Sequence, residues 1–277
     1  MPNYDLHTHS TASDGAYSPS ELLQQAALAG ITHLALTDHD STAGLNEARV
    51  AAEATGVRLI HGVEISVTWQ GKSVHVVGLN IDPGCKALQA GLLRLQATRL
   101  QRAEEMGRRL TKFGIAGAFE MTREMAGKGM ITRTHFARYL VMLGLAPTVK
   151  EVFERFLTQG KPGYVPTEWA NLDDAVGWIR AAGGIAVVAH PQRYKLTGSW
   201  MRRLLGEFKE CGGEALEVVS GTATPSDIQA TTHQVERFGL LASAGSDFHS
   251  PDYAWLKLGR LPALPTVLTP VWSRWDE

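Results

Sequence analysis

Seven short runs of apolar and β-branched residues are spaced along the chain and predict the strands of one sheet. Helical patterns separate most of these runs. Alternation of strands and helices is typical of a mostly parallel sheet, either open or closed into a barrel. The predicted strands fall at roughly residues 3–7, 32–37, 57–65, 73–81, 184–189, 214–219 and 240–246.

The segment "SPSELLQQAALAG" shows how the helices are marked. Ser18 is placed to cap the helix, Pro19 sits at its first position, and Glu21 completes a capping box. Gly30 is placed to end it. A similar plan of apolar spacing followed by glycine recurs three times, in "STAGLNEARVAAEATG", "DDAVGWIRAAGG" and "SDIQATTHQVERFG".

Residues 86–161 depart from the alternation of strands and helices, because their pattern is helical throughout with no convincing strand. This stretch holds 14 Lys and Arg against 6 Asp and Glu, whereas the rest of the chain holds more acidic than basic residues. We therefore predict a barrel domain formed by residues 1–85 and 162–277, interrupted by a basic all-helical insertion at 86–161. Solvated helix faces explain most of these charges, but their concentration in one subdomain favours an anionic ligand.

The composition is that of an ordinary globular protein of 277 residues with a formal net charge of −1. Cys85 and Cys211 lie far apart and do not form a disulfide framework, which suits a reducing compartment. The amino-terminal segment lacks the pattern of a signal peptide, and no apolar run is long enough for a membrane span. We expect a cytoplasmic location, no membrane contact and no protein partner.

Side chains that can bind metals follow most of the predicted strands. His7 and His9 lie two residues apart in or beside a strand, so both point to one side. In β/α barrels the carboxyl ends of the strands form the active-site face, and side chains from several strands converge there. The other residues at or near strand ends are Asp38, His39, Asp40, Glu64, His75, His190, Asp247 and His249.

These residues offer nitrogen and oxygen donors without a thiolate. Such donors suit Zn, Mn or Fe and disfavour a structural zinc site. Any one of these motifs alone is a weak metal signal, since an isolated strand histidine more often packs in a core. Their joint number exceeds what one metal uses, which predicts a multinuclear site and favours hydrolysis.

Five motifs, "DLHTHSTASDG", "GITHLALTDHDS", "GVEIS", "AHP" and "GSDFH", resemble in this order the polymerase and histidinol phosphatase (PHP) family. The resemblance covers roughly 1–82 and 162–262. It implies an α/β fold, a distorted (β/α)7 TIM-like barrel, with three divalent metals, often Mn²⁺, Zn²⁺ or Fe²⁺. The implied ligands form three sets: His7, His9, Glu64 and Asp247; Glu64 as a bridge to His75 and His190; and Asp14, His39 and His249.

Within the family, the basic insertion together with "TRTHFARYL" and "GKPGYVP" resembles one branch. That branch contains nucleoside 3′,5′-bisphosphate phosphatases and 5′→3′ exonucleases of short RNA. The resemblance implies hydrolysis of the 3′-phosphate of a small nucleotide to leave a 5′-nucleotide. Short single-stranded RNA is the alternative substrate in the same site.

The expected mechanism is in-line attack on phosphorus by a hydroxide that bridges two metals. Asp40 is a candidate for protonating the leaving oxygen, or for orienting a ligand histidine. Arg193 follows His190 by three residues and is the second catalytic candidate, placed to meet a phosphate.

For the 5′-phosphate, the segment "ITRTHFARYL" is the best candidate. Thr134 is expected to cap a helix that begins at His135, where free backbone N–H groups suit an anion, and Arg133 lies beside it. A plain N-cap with a surface arginine is the competing interpretation. Lys161 and Tyr164 border the junction of insertion and barrel, where Tyr164 is placed either to stack on a base or to pack.

Two other classes of function stay open. A metal-dependent amidohydrolase or deaminase would use a similar barrel, although a neutral amide needs no basic insertion. A non-catalytic metal-binding or RNA-binding protein would have no reason to keep an open, oxygen-rich site, since structural zinc sites are closed.

Overall fold

A computed structural model describes residues 3–252 and 256–275 of the chain. All seven predicted strands are confirmed, and they lie in one sheet in chain order. The strands are β1 Tyr4–Thr8, β2 His33–Leu36, β3 Arg58–Trp69, β4 Lys72–Leu79, β5 Ile185–Val188, β6 Ala215–Ser220 and β7 Leu241–Gly245.

The sheet is parallel except at β4, which is antiparallel to both β3 and β5. β3 extends four residues past its predicted end, and the two-residue turn Gln70–Gly71 joins it directly to β4. Both turn residues have positive φ (49° and 70°), as the commonest tight hairpin turns require. No helix separates β3 from β4, and this interruption of the strand–helix alternation distorts the (β/α)7 barrel.

The first and last strands approach each other and nearly close the barrel. The backbone N–H of Asp247 donates to the carbonyl of His7 at 2.8 Å, and Thr8 forms a parallel bridge with Phe248. The Asp5 carboxylate accepts the backbone N–H of Ser246 at 2.7 Å. Residues from the two ends of the chain therefore meet at one edge of the barrel.

The helices begin and end largely where the caps predict. Ser18 and Glu21 form the predicted capping box, and Gly56 ends its helix in the left-handed region. The amphipathic faces of these helices bury leucine and alanine against the strands. The helices are α1 Pro19–Leu28, α2 Leu45–Thr55, α3 Lys86–Lys112, α4 Ala118–Ala126, α5 Arg133–Met142, α6 Val149–Val152, α7 Leu172–Ala181, α8 Gly198–Glu210 and α9 Pro225–Phe238.

The segment between β4 and β5 carries α3 to α6, and α6 continues into a π-helical turn at Phe153–Leu157. Its apolar residues, with Phe136 fully buried among them, form a hydrophobic cluster of their own. The first half of α3 instead packs on the barrel through Leu88, Leu92 and Leu95. α3 thus joins both clusters, and the domain division at residue 86 stays a prediction.

Across the described ranges, 3–252 and 256–275, no helix combines the length and hydropathy that a bilayer crossing requires.

Candidate active site

Nine histidine and carboxylate residues meet at the carboxyl ends of the barrel strands, and we call them the ligand cluster. They come from residues 7 to 249, so closure of the barrel is what brings them together. Most are buried, and Glu64 and His9 are fully enclosed. The ligand cluster consists of His7, His9, Asp14, His39, Glu64, His75, His190, Asp247 and His249.

The first group within the ligand cluster matches the first predicted set, with His7, His9, Glu64 and Asp247. His7 Nε2 lies 3.4 Å from oxygens of both Glu64 and Asp247. His9 Nε2 lies 3.3 Å from Glu64 Oε2 and 3.1 Å from Asp247 Oδ1. Four ligands about 2.1 Å from one ion lie about 3.4 Å apart in a tetrahedron. The spacing therefore fits a metal.

Two further groups share members with the first. Asp14 and His249 approach to 3.4 Å, and His9 and His39 complete that group. Glu64 lies 2.7 Å from His75 and 3.0 Å from His190, and His39 also reaches it at 2.8 Å. The predicted division placed His39 in one set with Asp14 and His249, whereas its ring lies between Asp14 and Glu64. The assignment of ligands to individual ions stays a prediction.

Several of these donor atoms are buried without any hydrogen-bond partner among the described residues. Buried polar atoms are normally satisfied, so a concentration of unpaired ones at one place indicates a ligand that the protein itself does not supply. Divalent cations fit, because the unpaired atoms are imidazole nitrogens and carboxylate oxygens. In the ligand cluster these atoms are His7 Nε2, His9 Nε2, Asp14 Oδ1, His39 Nδ1, Glu64 Oε2, His190 Nδ1 and Asp247 Oδ1.

The electrostatics favour ionised carboxylates. Burial raises the pKa of Asp247, but the charges of Arg193, His7 and His249 outweigh it and hold that pKa well below its usual range. Burial lowers the pKa of His9, yet the nearby carboxylates of Asp247 and Glu64 raise it to about 10. A proton on His9 thus compensates these carboxylates, whereas burial lowers the pKa values of His39 and His190. Metal binding at His9 requires release of that proton.

Three residues at the mouth of the barrel have positive φ, namely Asp40 (49°), His190 (27°) and Asp247 (55°). Residues other than glycine rarely adopt this region, and such strain is concentrated at functional sites. The strain at His190 and Asp247 turns the chain sharply at the strand end and directs these side chains into the ligand cluster.

Several residues hold the ligands in place in ways that the sequence did not predict. Glu217 on β6 accepts a hydrogen bond from His7 Nδ1 at 2.7 Å, which leaves Nε2 free for a metal. Asp38 accepts hydrogen bonds from Ser10 and Ser13. Thr132 donates to Asp14 at 3.0 Å. The available signal for Glu217 was a charged residue inside the apolar run "ALEVVS".

The two catalytic candidates lie on different sides of the ligand cluster. Arg193 pairs with Asp247 and lines a cleft with His249 and Phe153. The Asp40 carboxylate accepts hydrogen bonds from Arg99 and from the backbone N–H of Ser66. Within the described residues its hydrogen bonds are to these groups and not to a ligand histidine.

The predicted cap at Thr134 is wrong. α5 begins at Arg133, and its cap is Thr132, whose Oγ1 accepts the Thr134 N–H at 3.1 Å. Threonine occurs at both positions, so the sequence alone did not separate them. His135 is buried, and its Nδ1 accepts the Thr132 N–H at 3.2 Å.

A cavity extends from Asp14 and His39 into the space between the barrel strands and helices α3 and α5. Arg133, Thr134 and Tyr164, all predicted to bind substrate, line it. Lys161 lies instead in a surface cleft. We call this space the arginine cavity, because it is also lined by Arg99 and Arg102, which were missed from the sequence.

Comparison with known proteins matches residues 5–218 to the PHP domain model. The chain is 47% identical over 98% of its length to a 3′,5′-nucleoside bisphosphate phosphatase of Chromobacterium violaceum, covering 96% of that protein. It is 44% identical over 98% of its length to a 5′-3′ exoribonuclease of Haemophilus influenzae, covering 98% of it. A solved structure from C. violaceum is described as an amidohydrolase with bound sulfate and no metal. It superposes on this chain with a TM-score of 0.94 at 46% identity, covering 98% of this chain and 95% of that one.

Proposed function

This chain belongs to the PHP domain family, and we propose that it removes the 3′-phosphate from nucleoside 3′,5′-bisphosphates to give 5′-nucleotides. One observation carries the proposal: the ligand cluster forms one end of a cavity whose other walls carry arginines. A substrate with two phosphates fits such a site, with one phosphate at the ligand cluster and one among the arginines. The two full-length relatives, a bisphosphate phosphatase and an exoribonuclease, support the same chemistry.

We further propose that the ligand cluster holds three divalent ions, with Mn²⁺ favoured and Zn²⁺ or Fe²⁺ as alternatives for these donors. Divalent metals at such a site lower the pKa of water toward neutrality and neutralise charge on a phosphate. The protein fixes the donors by burial and by hydrogen bonds behind them, such as that from His7 to Glu217. Arg193 lines a cleft with Asp247 and His249, where its positive charge would meet a phosphate at the ligand cluster.

For the substrate, we propose that Arg133 and the first turn of α5 attract the 5′-phosphate and that Tyr164 contacts the base. Thr134 lines the cavity beside them. His135 supports that turn from within. Lys161 is exposed on the insertion, where its charge draws in an anionic substrate. Both cysteines are free, which suits the proposed reducing compartment, the cytoplasm.

A second candidate function is 5′→3′ hydrolysis of short 5′-phosphorylated RNA. A second cleft, lined by Phe153, Arg193 and His249, adjoins the arginine cavity and the ligand cluster. In RNA the attacked phosphorus carries a further nucleoside, and this cleft offers a place for it. Both reactions break a bond to a 3′-oxygen and need the same metals. An amidohydrolase would leave the arginines without a role.

The test is phosphate release from adenosine 3′,5′-bisphosphate by protein loaded with Mn²⁺, alongside a 5′-phosphorylated dinucleotide and a panel of amides. We expect phosphate release that requires metal and is lost in His9→Ala, a variant that also binds less metal. Cleavage of the dinucleotide at a comparable rate would favour the exonuclease. Turnover of amides without any phosphoester hydrolysis would overturn the proposal.

A further inference from the structure

The loop that carries Asp14 is held by residues of the segment between β4 and β5. This loop joins β1 to α1, and the stretch that precedes α5 lies against it. The backbone N–H of Met130 donates to the carbonyl of Ala12 at 3.0 Å. Arg138 on α5 donates through Nη2 to the carbonyl of Asp14, also at 3.0 Å. α5 and the residues before it therefore fix the backbone around this candidate metal ligand.

Thr132 holds the Asp14 carboxylate itself. Its Oγ1 donates to Asp14 Oδ2 at 3.0 Å, and both side chains are buried. The other oxygen, Oδ1, has no hydrogen-bond partner among the residues that the structure describes, and it lies 3.4 Å from His249 Nε2. Hydrogen bonds behind a ligating carboxylate orient it for the metal. Thr132 thus orients the carboxylate and leaves Oδ1 for an ion.

The same hydroxyl begins α5. While it donates to Asp14, it accepts the backbone N–H of Thr134 at 3.1 Å as the N-cap of the helix. A hydroxyl has one proton and two lone pairs, so it makes both bonds at once. Arg133 and Thr134 follow directly and line the arginine cavity. Thr132 is therefore a direct link between a wall of that cavity and a metal ligand.

This link transmits the effect of a bound ligand in both directions. An anion near the first turn of α5 stabilises the helical conformation there, because the helix dipole and free N–H groups favour negative charge. A more firmly held cap keeps its hydroxyl at Asp14 Oδ2. A ligand set that is ordered in advance binds an ion more tightly, since less conformational freedom is lost on binding.

We propose that Thr132 is a positioning residue that couples the arginine cavity to Asp14, so that a nucleotide and the ion at Asp14 strengthen each other's binding. The inference rests on the proposed function and deepens it by stating how substrate and metal regulate one site. Glu64 lies on β3 and Asp247 follows β7, so both are held by the barrel. We therefore expect the coupling to concern one ion. Binding of substrate would then complete the metal site.

The experiment measures Mn²⁺ binding to metal-free protein from the electron paramagnetic resonance of free Mn²⁺, with and without saturating adenosine 5′-monophosphate. In the wild type, the nucleotide should tighten the binding of one ion about 5- to 150-fold, the usual range of coupling between two sites. Thr132→Val keeps the shape of the side chain and removes the hydroxyl. In this variant that ion should bind about 10- to 100-fold more weakly, and the nucleotide should no longer tighten it.

A second readout is the affinity for the 5′-monophosphate by calorimetry. By linkage, Mn²⁺ should raise this affinity by the same factor in the wild type and should not raise it in Thr132→Val. A loss of helix stability alone would not remove both effects together. Thr132→Ser restores a hydroxyl at the same place and should restore the coupling.

Thr224→Val is the matched control. Thr224 is the exposed N-cap of α9, where its Oγ1 accepts the Asp227 N–H at 3.2 Å. This variant loses a cap of the same kind and should keep the Mn²⁺ affinity and the coupling of the wild type. If Thr132→Val does not fold, Thr132→Gly removes the same hydroxyl at little cost to the helix, because glycine is a tolerated N-cap, and it should lose the coupling.

Unchanged coupling in the variants of Thr132 that lack the hydroxyl, the same loss in Thr224→Val, or failure of Thr132→Ser to restore the coupling would overturn the inference. A wild type in which the nucleotide leaves Mn²⁺ binding unchanged would also overturn it. None of these results affects the proposed function, provided that the Mn²⁺-loaded wild type hydrolyses adenosine 3′,5′-bisphosphate. Absence of that hydrolysis would instead overturn the proposed function.

Discussion

Glu217 offers the sharpest test of how the protein holds its metals. Its Oε2 accepts a hydrogen bond from His7 Nδ1 at 2.7 Å, and the carboxylate is buried behind the ring. The substitution Glu217→Gln keeps the shape and an acceptor but removes the charge. We expect weaker metal binding, because the carboxylate orients His7 and increases its basicity.

The magnitude follows from the geometry. The hydrogen bond, the imidazole ring and a metal–nitrogen bond of about 2 Å together place the carboxylate about 7 Å from a metal at Nε2. A charge of −1 at that distance from a dication contributes about 1 kcal/mol at the dielectric constant of water and about 5 kcal/mol at an effective value of about 20. Loss of such partners commonly costs 10- to 100-fold in metal affinity, or about 1.4 to 2.7 kcal/mol, which lies within these limits.

The assay is competitive titration of metal-free protein with Mn²⁺ against a chelating dye, followed by kcat/KM on the bisphosphate. The matched control is Glu236→Gln, an exposed residue of α9, which should bind metal like the wild type. An affinity of Glu217→Gln within about twofold of the wild type would refute the reasoning, since neither the charge nor the orientation of His7 would then matter.

Three further predictions concern the fold around the site. Gly245→Ala should weaken metal binding and lower the melting temperature, because the new Cβ would lie 2.3 Å from His7 Cβ. The control Gly206→Ala on α8 places its Cβ in open space and should leave the melting temperature unchanged or raise it. Equal melting temperatures of the two variants would contradict this prediction. Phe136→Ala in the cluster of the insertion should cost about 3 to 5 kcal/mol in urea unfolding, against less than about 0.5 kcal/mol for the exposed Leu93→Ala. Chelation should lower the free energy of unfolding by about 2.7 kcal/mol relative to protein with Mn²⁺ at 100 times its Kd, and identical melting curves would argue against a metal in this cluster.

The strands and most helix ends were predictable because their signals are local. Alternating apolar positions, Ser18 with Glu21, and the left-handed Gly56 act over a few residues. The capping residue of α5 was missed, since Thr132 and Thr134 are equally good caps and only the backbone conformation separates them. The direct β3–β4 hairpin was also missed, because Gln-Gly is a weaker turn signal than Asn-Gly.

Donor types and their places at strand ends identified the candidate ligands from the sequence, since an i, i+2 pair in a strand faces one side whatever surrounds it. Their supports were not predictable in this way. Glu217 lies 210 residues from His7, and Arg99 lies 59 residues from Asp40. No spacing rule links such pairs, because their contact depends on how the barrel closes and how the insertion packs.

The sequence by itself determined the class of fold, the family and the chemistry of the ligand cluster, because these depend on residue types in local patterns. The tertiary structure decided which charges are compensated. Arg99, Arg102 and Arg133 look alike in the sequence, and only packing gives Asp40 to the first and leaves the other two facing the cavity. The sequence cannot show that difference, since an electrostatic interaction depends on the distance between charges in space and not on their separation along the chain.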